Sequence, residues 1–356
     1  MGYSSLAVRE TGARESFDAV HAQMLRFFPD LVMELGGDPR ALLLMAGLEP
    51  HSISVSGIDA SYRQVAQLME LAAAELQCPD FGMRLARLQR GGTMFGPLGH
   101  VMRNSATFGD ALAYVMVHNY AHSLAIRLWL THCPEEGNFF AGHDMLLDQL
   151  PNRCQVTEQV ILLGHQTAME LTNGYARARQ VHFRHQPIAP VASYRRYFGC
   201  DVLFSQNDDG LVFAERDLAR TIVAPDEQAY QRAAAYIDTE FTCHQPPLGA
   251  QARGVIRQLL GAEECTYERV AEELHLHPRT LHRRLAAEGT SFQKIRDEVR
   301  RDIMLYYLQQ TDVGLARISE KLGFAEQSIM TRRCHRWLSA SPTKVRAQGR
   351  SQASPA

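Results

Sequence analysis

Apolar residues recur at helical spacing through Phe17 to Leu35, Pro39 to Leu48 and Tyr62 to Leu76, so the first ninety residues read as helices, punctuated by Gly36, Gly37 and Pro79. From Gly91 the pattern becomes mixed. A helix is predicted over Phe108 to His122, strand-like runs over Leu124 to Leu130 and Asn138 to His143, and a second helix over Thr157 to Thr172. Short strands are predicted at Gln180 to Phe183, Asp201 to Phe204 and Leu211 to Phe213. Helices alternating with only about five strands indicate an α/β or α+β domain of roughly 200 residues, since a sandwich needs more strands.

A helix over Asp226 to Phe241 follows, opened by Pro225, and His244 to Gly249, with Pro246 and Pro247, reads as an extended linker. Beyond it the pattern is helical throughout, with Gly349 to Ala356 expected as a frayed tail. Thr266 is placed to cap a helix whose apolar face is Val270, Ala271 and Leu274. That helix stops at His275 to His277, and Pro278 opens another that Gly289 closes. In the second helix Leu281 and Leu285 point inward and leave Arg279, Thr280, His282 and Arg283 outward. The arrangement then recurs. Ser291 to Gln309 forms a long middle helix, Leu315, Ile318 and Leu322 the next stripe, and Gly323 and Phe324 the turn. Ser328 is expected to cap the last reader, with Gln327, Ile329, Thr331 and Arg332 outward and Met330, Cys334 and Trp337 inward. Two basic helices on one rigid connector suit successive major grooves, about 34 Å apart on one face of B-DNA.

Charge sharpens this picture. The formal net charge of the chain is only -2, yet residues 250 to 350 hold 18 Lys or Arg against 12 Asp or Glu, while the rest is acidic. Neither a basic coat protein nor an acidic disordered tail fits such a split. The seven cysteines, Cys78, Cys133, Cys154, Cys200, Cys243, Cys265 and Cys334, are scattered and include no zinc-type pair, which disfavours both metal and disulfide frameworks. Met1 to Glu15 shows no leader pattern, Leu6 stands where a myristoylation signal wants Ser or Thr, and Ala41 to Leu48 is too short to span a bilayer. The expected location is cytoplasmic, with no membrane partner.

Val270 to Leu285 and Ile318 to Arg346, including Arg279, Leu281, Arg283, Gly323, Phe324, Ser328, Arg332, Trp337 and Pro342, resemble the paired helix-turn-helix domain of the AraC/XylS transcriptional regulators. Gly96 to Gly99, Gly109 to Leu112, and Tyr194 and Phe198 before Phe204 are similar to the arabinose-binding-type sensor domain of one branch, which includes ornithine-responsive regulators. The resemblance implies an α+β N-terminal sensor domain, residues 15–215, a helical connector and linker, 216–249, and an all-α DNA-binding domain, 250–348. It implies double-stranded promoter DNA, RNA polymerase and a small-molecule effector as partners, with a homodimer as a further option. Its base-reading face falls on Arg279, Thr280, His282 and Arg283, then on Gln327, Ser328, Thr331 and Arg332. Arg suits guanine, Gln adenine, and Thr the thymine methyl. The pattern is broken where Ser339 replaces the Gly that normally ends the second reader, and where Ile329 and Arg333 fill positions that are usually small.

Each sharp reading has a plainer rival. Exposed arginines are often just a solvated helix face, and His118 and His122, four apart, are packing histidines unless a third ligand joins them. Cys334 is a buried thiol before it is a redox switch. The alternative function is a DNA-targeted enzyme of the cysteine alkyl-transfer type. Cys78, Cys133 and Cys154 lack an activating constellation, with only scattered neighbours such as His132 and Arg153. The chain is therefore expected to be a transcription regulator, an activator by family analogy, with no catalytic residues, no cofactor, and effector-binding residues unassigned.

Overall fold

The computed structural model describes residues 17–353 except 21–22, 55–56, 59, 134–136, 151, 242–244 and 261–264. Expectations for Met1 to Glu15, Cys243 and the last three residues fall outside that set.

The N-terminal helices are α1 (Phe28–Glu34), α2 (Pro39–Met45), α3 (Tyr62–Glu75) and α4 (Phe81–Gln89), with a hairpin of β1 (Ile53–Ser54) and β2 (Gly57–Ile58) before α3. Local chemistry sets their starts. Asp38 Oδ1 accepts from Arg40 N at the head of α2, and Ser61 and Gln64 form a reciprocal capping box on α3. The helix expected from Phe17 is shorter than its apolar pattern: residues 24–27 are turns, and Phe27 takes a left-handed φ of 64° before α1 begins. Val20, Met24 and Leu25 are buried all the same, packed with Phe28, Leu68 and Phe81. Their spacing reports burial rather than helix.

Next come α5 (Pro97–Asn104), α6 (Phe108–His118), β3 (Ile126–His132), β4 (Asn138–Met145), α7 (Cys154–Leu171), β5 (Gln180–His182), α8 (Val191–Phe198), β6 (Asp201–Leu203) and β7 (Asp209–Ala214). The five-stranded sheet runs β3-β4-β7-β5-β6, antiparallel except for β5 beside β6. In register, Leu128 faces His143 and His143 faces Asp209. Helix α7 is apolar on most sides and correspondingly buried, with Ile161, Leu162 and Leu163 packed with Phe139, Leu211 and Phe213. It also carries Glu158, fully buried, whose carboxylate accepts from Tyr194 Oη at 2.5 Å and whose pKa burial raises far above the usual carboxylate range.

Helix α9 (Glu227–Glu240) is capped by Asp226, which accepts from Gln228 N and Ala229 N, and it buries Ile237 against Leu98 and Val101 of α5. The C-terminal helices are α10 (Leu248–Leu259), α11 (Tyr267–Glu273), α12 (Pro278–Ala287), α13 (Phe292–Gln310), α14 (Leu315–Lys321), α15 (Gln327–Leu338) and α16 (Pro342–Ala353). Two points correct the sequence reading. Helix α10 already starts inside the expected linker, its first amides, Leu248 N and Gly249 N, donating to the Glu288 carboxylate at 2.8 Å. The expected tail is helical through Ala353, because Gly349 lets α16 close on α13: a Cβ there would stand 2.8 Å from Gln309 Cα. Among the described residues no helix is long and apolar enough to cross a membrane.

Candidate nucleic-acid interface

The first helix-turn-helix is α11 and α12. Thr266 Oγ1 accepts from Arg269 N at 3.1 Å, and the chain turns at His275, φ 52°, with Leu276 N donating back to Ala271 O at 2.8 Å. Tyr267 Oη donates to Pro278 O at 2.6 Å and ties the start of α11 to the start of α12. Pro278 occupies the first turn, and His277 Nδ1 accepts from Arg279 N, so the N-terminus of α12 is satisfied by its own neighbours. Leu281 and Leu285 are buried with Val270, Ala271, Ile256, Ile295 and Val299. That burial orients the helix. Arg279, His282 and Arg283 are exposed, and Thr280 is half-buried.

In the second unit, the chain turns after α14 at Gly323, φ 63°, with Phe324 N donating to Ser319 O at 3.0 Å. Arg300, from α13, donates Nε to Leu322 O and Nη2 to Gly323 O, both at 2.9 Å, and its guanidinium lies 4.6 Å from the centre of the Phe324 ring. The middle helix thereby fixes the second turn. Met330 and Cys334 are buried with Ile318, Leu322 and Met304. Gln327, Ser328 and Arg332 are exposed, and Thr331 is half-buried with Oγ1 donating to Gln327 O at 3.0 Å.

Ser328 is not the cap of α15. The N-cap is Glu326, and Ser328 Oγ donates to its carboxylate at 2.9 Å from the first turn of the helix. A carboxylate there still opposes the helix dipole favourably. Arg333 also has a settled role within the chain: it lies 3.3 Å from Asp297 of α13 and 5.9 Å from the Trp337 ring. Ser339 is left-handed, φ 54° and ψ 22°, as its position after the second reader requires. The exposed faces continue into Arg284 and Arg336, which sequence reasoning passed over although each lies beside or near a named arginine.

The plainer readings of the remaining candidates hold geometrically. His118 Nδ1 lies 2.9 Å from Tyr114 O, and its ring stacks on Tyr114 at 3.8 Å between centroids. Burial pushes the thiols of Cys78 and Cys334 up to about 11 and that of Cys154 well above its ordinary value. A thiol held protonated in this way is a poor nucleophile.

A mixed α/β region followed by two helix-turn-helix units on one rigid helix defines a transcription regulator that binds DNA. Residues 36–222 match the family described as the arabinose-binding domain of AraC transcription regulator, N-terminal, and residues 270–348 match a helix-turn-helix domain family. The chain is 33% identical over 330 residues to the HTH-type transcriptional regulator VirS of Mycobacterium tuberculosis, covering 93% of this chain and 97% of that protein. It is 26% identical over 320 residues to the ornithine utilization regulator of Pseudomonas aeruginosa, covering 89% and 93%. The crystal structure of CdpR from Pseudomonas aeruginosa aligns over 95% of this chain and all of that one, with a TM-score of 0.44 at 18% identity. The chain belongs to the AraC family of transcription regulators.

Proposed function

We propose that the protein activates transcription from promoters it binds through residues 250–348, in response to a small metabolite held by residues 15–215, with 216–249 connecting the two. Arg279, Thr280, His282 and Arg283 read one half of the operator, and Gln327, Ser328, Thr331 and Arg332 the other. The observation that carries this reading is the matched pair of α12 and α15. Each has its apolar side buried and its polar first turns presented outward, and α13 joins them. Arg284 and Arg336 add phosphate contacts, which position the protein without specifying sequence. Activation, by analogy with the family, requires contact with RNA polymerase, and a homodimer would bring two such domains to one promoter. The working compartment is the cytoplasm.

The decisive experiment sequences genomic fragments retained by the purified full-length protein and repeats the capture across a salt series. Retention of a recurrent site is expected, with log affinity falling by about 0.9 per decade of log salt for every phosphate neutralised. A folded protein that retains no fragment in a salt-dependent way overturns the reading. The rival, alkyl transfer to a cysteine, is opposed by the buried, protonated thiols of Cys78 and Cys154. Mass spectrometric detection of methyl uptake from alkylated DNA would revive it.

A further inference from the structure

Between the sheet and helices α5, α6 and α7 lies a cavity of about 120 Å³. Its walls are the rings of Phe95, Phe108 and Phe213 and the aliphatic side chains of Leu98, Val115 and Leu211. Gly164, on α7, contributes no side chain, and a Cβ built there would be in ordinary contact with Leu211. Three polar side chains face the space: Asn119, His122 and His143. Asn119 Nδ2 already donates to Ile126 O at 2.9 Å, and the His122 ring stands edge-on to Tyr62 and Phe95. His143 is only 4% exposed, and its Nε2 has no hydrogen-bond partner.

We propose that this cavity is the effector site and that it takes a small, neutral, mostly apolar molecule bearing one hydroxyl, of phenol type, hydrogen-bonded to His143 Nε2. The inference rests on the ligand-responsive reading above and names its ligand class. Size argues first: at about 120 Å³ the space is somewhat smaller than the roughly 150 Å³ that holds benzene, so it admits one six-membered ring only as its lining yields. Met102 and Met116, on the lining, are unbranched and adapt to a slightly larger ring. Chemistry argues next. A pentose would bury several hydroxyls, and an amino acid two charges, against walls that are mostly apolar. A single hydroxyl can donate or accept, and so satisfies either tautomer of the ring. Burial lowers the pKa of His143, with Arg184 adding to the effect and Asp209 and Asp144 opposing it, which leaves a neutral imidazole for a neutral ligand.

The test titrates phenol into the full-length protein by calorimetry and thermal scanning, beside benzene, L-arabinose and L-ornithine. One phenol per chain is expected, with the unfolding midpoint rising about 3 to 5 °C at tenfold excess over Kd. Benzene should bind about three- to tenfold more weakly, the worth of one hydrogen bond. His143→Leu should erase that preference, and His143→Gln should keep part of it. Gly164→Leu should abolish uptake by filling the space; if that variant does not fold, Val115→Phe narrows the cavity from α6. Absence of saturable phenol binding to folded protein, undiminished binding in the filled variants, or displacement of phenol by arabinose overturns the assignment. Retention of DNA by the same preparation separates the two readings. Retention without phenol uptake removes only this site, whereas uptake without retention removes the regulator reading.

Discussion

Asp144 of β4 stands 3.9 Å from the Nε of Arg257 on α10, across the boundary between the sheet region and the helical C-terminal region. Its other carboxylate oxygen accepts from Arg184 Nη1 at 2.8 Å, and Arg184 is held as well by Asp208 at 2.8 Å and Asp209 at 3.9 Å. Successive residues of a strand point to opposite faces. His143 therefore lines the cavity while its neighbour Asp144 meets α10 of the helical C-terminal region. Around this pair, Gln149 N donates to Asp302, Gln186 N to Tyr306 Oη, and Lys321 Nζ to Ser205 O. Lys321 belongs to α14, the first helix of the second helix-turn-helix unit.

Replacing Asp144 by Asn is expected to lower stability by about 3 kcal/mol, the lower end of the cost of removing one partner from a buried pair. Asp208 and Asp209 remain to compensate Arg184, which keeps the loss from being larger. Denaturant unfolding followed by near-ultraviolet circular dichroism measures it. An unchanged midpoint would mean that solvent already screens this cluster.

Acid should destabilise the protein through its buried histidines, and His165 gives the clearest sign. Burial, helped by the Arg177 charge, lowers its folded pKa from 6.5 to about 4, and its Nδ1 has no hydrogen-bond partner. The unfolded chain therefore takes up the proton first. This contribution is complete above pH 6.5 and is lost as pH falls toward 4, amounting to about 3 kcal/mol. Glu70 works the other way, since burial raises it to about 7, and its contribution is lost as pH rises through that value. Comparing wild type with His165→Leu isolates the histidine. The slope of stability against pH between 6.5 and 4 should be smaller in the variant.

Arg283→Ala should weaken binding to the native operator more than Arg332→Ala. The first reader keeps the family's pattern, while the second carries Ile329, a glutamate cap in place of Ser328, and Arg333 committed to Asp297. Each specific base contact is worth about 1 to 3 kcal/mol, so titration resolves the difference. A larger loss for Arg332 reverses the order of the two readers.

Ser339→Gly should hold or raise the unfolding midpoint without altering the preferred operator. At φ 54° a β-carbon costs roughly 1 kcal/mol, and part of the relief is offset by the greater freedom of glycine in the unfolded chain. A clear fall in the midpoint would mean that the serine makes a contact worth more than its strain.

The sequence by itself determined what short-range chemistry controls. Thr266, Pro278, Gly289, Ser291 and Gly323 act through hydrogen bonds and φ preferences within a few residues, and the helices they bound stand where the pattern puts them. The outward set of the first reader followed from Leu281 and Leu285 alone, because a helix of 3.6 residues per turn leaves little choice once one face is buried. Tertiary structure decided the rest. Met24 to Phe27 shares the helical spacing but forms turns, since burial against α3 and α4 outweighs a local preference; α15 took Glu326 rather than Ser328 as its cap; and Gly349 prolonged α16 through contact with α13. Helix α8, with Tyr194 and Phe198 inside, left too short a stripe to be told from a loop. The cavity around His143 and the link from Lys321 to Ser205 join residues far apart along the chain, 116 in the latter case. Such contacts have no local signature: they exist only once the sheet and the helical units have packed together.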